Sequence, residues 1–82
     1  MNKIRLLFFA TLRDRAGTRQ MELEVPEGLT VKGLKEHLAQ THPNLAESMQ
    51  SVLVTIEREY AFDDAVIPEH GEVAMFPPVS GG

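Results

Sequence analysis

Cysteine is absent from this 82-residue chain. Without it there is no disulfide framework and no thiolate zinc site. Long hydrophobic runs are absent too. The longest, Leu6 to Ala10, is far too short to span a membrane. Met1 to Ala10 carries the charge of a signal n-region, but no adequate apolar stretch with a small-residue cleavage site follows. These absences lead to the expectation of a cytoplasmic protein. Basic charge is scarce: 8 Lys and Arg stand against 12 Asp and Glu, a net charge of −4. An acidic chain is repelled by phosphate backbones, so no nucleic-acid partner is expected; a basic patch on a partner protein suits it better. No repeat, low-complexity tract or linker is present, and the length fits one domain.

The apolar residues are arranged with period. Lys3 to Ala10 reads as a strand, with Ile4, Leu6 and Phe8 on one face and Arg5, Leu7 and Phe9 on the other. From Leu6 onward both faces are apolar, which suits a central strand that also exposes an apolar patch. Leu12 to Ala16 forms one helical turn, stopped by Gly17. Gln20 to Val25 alternates Met21, Leu23 and Val25 with Gln20, Glu22 and Glu24, a half-solvated strand ended by Pro26-Glu27-Gly28. The link between these strands is too long for a tight hairpin.

Thr30 is a suitable N-cap, and Val31, Leu34 and Leu38 recur at helical spacing, so Thr30 to Gln40 is the main amphipathic helix. Gly33 weakens it by about 1 kcal/mol relative to Ala, a cost that a close approach of helix to sheet would explain. Pro43 is expected to end this helical region, with a short turn of helix over Asn44 to Gln50. Val52 to Ile56 is a β-branched strand, paired after a turn at Glu57 to Glu59 with Tyr60 to Phe62. Val73 to Phe76 is the last strand, ended by Pro77-Pro78. Two strands, one long helix and further strands make an α+β plan: a mixed sheet of four to five strands with the helix on one face. This is the β-grasp, or ubiquitin-like, arrangement, in which the first and last strands lie side by side in the centre. Residues 1–77 form that domain and residues 78–82 an extended tail.

The tail carries the chemistry. Gly81 and Gly82 have no Cβ and can enter a narrow channel. Five residues beyond Pro77, fully extended, reach about 17 Å. The carboxylate of Gly82 is its one reactive group. Ionised at neutral pH, it is a poor electrophile. Once ATP converts it to an acyl-adenylate, a sulfur nucleophile can displace AMP and leave a thiocarboxylate, with no need of a cysteine in this chain. The bland alternative is an inert, frayed terminus. With glycine at about 7% of residues, chance gives a terminal Gly-Gly only about 0.5% of the time.

Three stretches resemble the small-subunit family of molybdopterin synthase: Leu7-Phe8-Phe9-Ala10 with Leu12-Arg13-Asp14 and Gly17; Glu59-Tyr60; and Gly71-Glu72-Val73 through Phe76-Pro77-Pro78-Val79-Ser80-Gly81-Gly82. The last is the most specific. The resemblance implies that an adenylating enzyme related to ubiquitin-activating enzymes activates Gly82 with ATP, and that a sulfurtransferase supplies sulfur. It implies that a large synthase subunit, in a heterotetramer, takes up the tail and passes sulfur to a pterin precursor. One departure stands out: many members have Val-Asn where this chain has Ile56-Glu57, which bears on the turn or on partner affinity.

The outer sheet face is the expected docking surface. Phe9, Tyr60 and Phe76 form its apolar part, as the resemblance implies, and Pro77, Pro78, Val79 and Ser80 lead from it to Gly81-Gly82; the alternative is a second mini-core under loops. Arg13 and Arg58 are candidates for pairing with acidic partner residues, against the commoner solvated role. His37, His42 and His70 build no metal face, and Glu57, Glu59, Asp63 and Asp64 read as a solvated rim. No bound metal or cofactor is expected, and no nucleophile–base pair marks the chain as an enzyme by itself. A carrier for thiamine or cysteine synthesis, a protein modifier forming isopeptide bonds from Gly82, and a plain interaction domain are the remaining functional classes.

Overall fold

The computed structural model describes residues 1–78. The chain order is β1 (Asn2–Phe8), α1 (Thr11–Ala16), β2 (Gln20–Val25), α2 (Val31–Thr41), two 3₁₀ turns (Pro43–Leu45 and Ser48–Gln50), β3 (Leu53–Ile56), β4 (Glu59–Tyr60) and β5 (Glu72–Phe76). The strands form one five-stranded sheet in the order β2-β1-β5-β3-β4. β1 and β5 run parallel at its centre, and the other pairs are antiparallel. This is the β-grasp arrangement that the element order predicts.

The alternation in β1 decides which face is covered. Ile4, Leu6 and Phe8 are buried against α2, whose Val31, Leu34 and Leu38 are fully enclosed. Thr30 caps α2: its Oγ1 accepts the Gly33 N–H at 3.1 Å. Two first-turn amides find partners outside the helix, Val31 N–H donating to Ala65 O (2.9 Å) and Lys32 N–H to Asp63 O (3.0 Å). The Asp63–Ala65 loop is thereby pinned to the helix start, satisfying donors that a helix cannot satisfy itself. Lys35 Nζ, 2.7 Å from Asp63 Oδ1, reinforces it.

Several boundaries differ from the sequence expectation. β1 stops at Phe8 because Ala10 turns to φ 53° to enter α1. β3 starts at Leu53, one residue later than the β-branched run. The helix ends before Pro43 as expected, and the short helical turn expected over Asn44 to Gln50 is split between two 3₁₀ turns, the first opened by Pro43 itself. The hairpin after β3 is tighter than expected: Ile56 pairs with Glu59 across a two-residue turn, and Phe62 falls outside β4. Gly33 does not mark a helix–sheet approach. A Cβ there would meet Cδ1 of Leu29, in the loop just before the helix, at 2.5 Å.

Asn2 is buried at 3% exposure. Its Nδ2 donates to Pro68 O (3.0 Å) and its Oδ1 accepts the His70 N–H (2.8 Å). One amide thus ties the start of β1 to the loop that feeds β5, and no buried side-chain polar atom among the described residues lacks a partner.

Candidate functional site

The outer face of the sheet has no helix over it. Register places Gln20, Leu7, Ala74, Thr55 and Tyr60 in one row across all five strands. Ala74 and Thr55 are small neighbours on adjacent strands, so the centre of this row is low. Leu7, Leu53, Phe76 and Tyr60 stand around it. The result is a groove of about 720 Å³ that runs on to Phe9 and Pro77. Toward the other end the face becomes polar, with Lys3, Arg5, Glu22 and Glu72.

At the tail end of the groove Phe9 stacks on Phe76, ring centroids 4.6 Å apart and planes within 8°. The Phe9 N–H donates to Met75 O (3.2 Å), extending the β1–β5 ladder one residue past β1. The stack therefore fixes the last residue of β5 immediately before Pro77-Pro78. Phe9 remains 42% exposed and Tyr60 75% exposed. Monomeric proteins rarely keep contiguous aromatic surface of this kind in water.

Of the expected partner-binding residues, Phe9, Tyr60, Phe76 and Pro77 line this single groove. Arg13, on α1, borders a neighbouring cleft shared with Phe9 and Ala10, its Nε 3.9 Å from Asp14 Oδ1; both side chains are exposed, so the pair contributes little. Pro78 lies in a smaller cleft of about 200 Å³ between α1 and the second 3₁₀ turn, beside Thr11, Arg15 and Ser51. Val79, Ser80, Gly81 and Gly82 lie outside the described residues.

Sequence reasoning missed the floor of the groove. Neither Ala74 nor Thr55 carries a local signal; only the β1–β5–β3 register makes them adjacent. It also missed Phe62, 81% exposed beside Asp63 and Asp64 at the β4 edge, having placed it in a strand. The acidic rim is less uniform than expected: Asp63 holds Lys35, and Glu57 Oε1 accepts the Glu72 N–H at 2.8 Å. Among the described residues no cluster of His, Asp and Glu is placed to hold a metal, and no helix is long and apolar enough to cross a membrane.

A mixed five-stranded sheet packed on one main helix, with an uncovered apolar outer face, defines a ubiquitin-like β-grasp domain. The chain belongs to the ThiS family, whose model matches residues 6–82 and so takes in Gly81 and Gly82. The molybdopterin synthase sulfur carrier subunit of Arabidopsis thaliana is 32% identical over 80 residues, covering 98% of this chain and 83% of the relative. Among solved structures, the H. volcanii small archaeal modifier protein 1 superposes with a TM-score of 0.82 at 25% identity, covering 96% of this chain and all of that one. A complex of subunits 1 and 2 of the molybdopterin-converting factor from Helicobacter pylori contains a chain with the same fold, TM-score 0.69 at 16% identity, covering 98% and 99%.

Proposed function

We propose that this chain is a cytoplasmic sulfur carrier of molybdenum cofactor biosynthesis, the small subunit of molybdopterin synthase. The observation that carries the reading is the continuity of one surface: the aromatic groove ends at Phe76-Pro77, and the sequence continues to Gly82. A protein that takes up the tail lies over the groove.

The chemistry belongs to Gly82. Its carboxylate oxygen attacks the α-phosphate of ATP on an adenylating enzyme, and pyrophosphate leaves. A persulfide sulfur presented by a sulfurtransferase then attacks the acyl carbon and AMP leaves; a thiol attacks the outer sulfur of the resulting acyl disulfide, forming a disulfide and releasing the thiocarboxylate. On the large subunit that sulfur attacks the pterin precursor, and water then hydrolyses the acyl–sulfur bond, leaving the sulfur on the pterin and returning Gly82 to a carboxylate. The carrier supplies reach, the absence of Cβ atoms at Gly81 and Gly82, and a docking face; it binds no cofactor, and ATP is used by the activating enzyme. Two small and two large subunits form the working complex. By itself the chain is a tethered substrate, not a catalyst.

Intact mass after incubation with ATP, the adenylating enzyme and a sulfur donor tests this. The expected result is a gain equal to replacing one oxygen by sulfur, abolished when Gly82 is deleted, with sulfur then passed to the pterin precursor on addition of the large subunit. No gain beside a competent control carrier would refute it.

The likeness to the archaeal modifier protein favours a second use of the same activated Gly82, attack by a lysine amine to give an isopeptide bond. Lysine-linked conjugates in the native cell, lost when Gly82 is deleted, are its signature.

A further inference from the structure

Left-handed backbone collects at the rim of the outer groove. Among the described residues four non-glycine positions have positive φ: Ala10 (53°), Glu57 (51°), Arg58 (71°) and His70 (57°). Ala10 and Arg58 line the groove, and Glu57 adjoins it. Glu57 and Arg58 are the two central residues of the β3–β4 hairpin. Positive φ at both positions is the type I′ turn, which favours Asn-Gly because other L-residues press Cβ against the backbone. Such strain persists where the surroundings impose it, and it concentrates at functional surfaces.

The surroundings that impose it are identifiable. The Glu57 N–H donates to Glu72 O at 3.0 Å, and the Glu57 carboxylate accepts the Glu72 N–H at 2.8 Å. This two-way latch fastens the turn to the start of β5. It also commits the Glu57 carboxylate to the backbone. The Glu72 carboxylate is 3.7 Å from Arg5, and Glu59 lies, by strand parity, on the opposite face from Tyr60. The carboxylates of Glu57, Glu59 and Glu72 are thus directed elsewhere. Arg58 forms no ion pair among the described residues, although the chain's net charge is −4. A guanidinium, with five donors in a planar fork, stands at the edge of an apolar groove beside an exposed tyrosine.

We infer that Arg58 is a recognition residue that meets a carboxylate on the large synthase subunit at the rim of the apolar contact. This rests on the proposed function, which supplies the occupant of the groove. The left-handed turn holds the side chain at the rim before the partner arrives, so less ordering is needed on binding. A bidentate carboxylate partner suits arginine better than lysine.

The test is the affinity of the full chain for the purified large subunit, measured by calorimetry with thermal unfolding in parallel. Arg58→Gly is expected to raise Tm by a few degrees, since glycine relieves the 71° φ, while weakening binding about tenfold. Arg58→Glu is expected to weaken it about a hundredfold through like-charge repulsion. Arg58→Lys retains part of the affinity. The salt dependence of the dissociation constant should flatten in Arg58→Gly. Tyr60→Ala separates the two levels of the argument. If Tyr60→Ala weakens binding and the Arg58 variants do not, or if their loss is confined to the adenylating enzyme, the inference is overturned and the docking face stands. If Tyr60→Ala and Phe76→Asp are also silent, the docking face falls, and the inference with it.

Discussion

The inner face of the sheet, under α2, and the outer face, over Ala74 and Thr55, grow from the same alternation in β1 and β5. On the inner face Leu6, Val73 and Met75 are fully enclosed by one another and by Leu34 and Leu38. On the outer face Leu7, Phe76 and Phe9 are as apolar, yet only partly covered. The difference lies in what covers them. The inner set is satisfied by this chain's own helix and contributes to folding; in the proposed function the outer set is covered by another molecule. Hydrophobicity alone does not distinguish a core strand from a docking strand, but the presence of a covering layer does.

The comparison breaks most sharply in the core. Leu6→Ala, at 0% exposure on the central strand, should cost about 2–5 kcal/mol, read as a lower midpoint in urea unfolding. In a domain this small that is a large share of the total, typically about 5–15 kcal/mol. Asn2→Ala should follow at about 1–3 kcal/mol, because it strips the Pro68 carbonyl and the His70 amide of their partner; Asn2→Asp retains the acceptor for His70 but sets a carboxylate oxygen against the Pro68 carbonyl in a buried site, and it should cost at least as much as Asn2→Ala in the same unfolding assay at neutral pH. Thr30→Ala removes the acceptor of the Gly33 amide and should cost about 1 kcal/mol, with amide exchange of the first turn of α2 accelerating. Tyr60→Ala, on the outer face, should change stability by less than about 0.5 kcal/mol yet weaken partner binding by about 2 kcal/mol. An outer-face variant that unfolds the protein, or an inner-face one that loses only its partner, would undo the distinction.

Much of the fold was legible because its signals are local. Ile4, Leu6 and Phe8 alternate with charged and outward residues; Val31, Leu34 and Leu38 repeat at helical spacing behind Thr30; Gly17 and Pro26-Glu27-Gly28 stop their elements. That Phe9, Tyr60 and Phe76 share the outer face was also legible, by strand parity and by the family resemblance. What misled was equally local. Gly33 looked like a contact point for the sheet, but its constraint comes from Leu29, four residues earlier in the chain. Phe62 looked like strand, but the tight Glu57-Arg58 turn ends the pairing too early to include it.

The sequence by itself determined the two periodicities, the helix cap and the turns that stop the elements, because each follows from residues near one another. Only the tertiary structure decided that Ala74 and Thr55 lie side by side as a groove floor, that Asn2 locks the loop before β5, and that Glu57 turns its carboxylate to Glu72 and so leaves Arg58 without an ion-pair partner among the described residues. Those facts depend on strand register and on loops meeting across the sheet, between residues as much as 68 positions apart, and no local pattern specifies such a pairing.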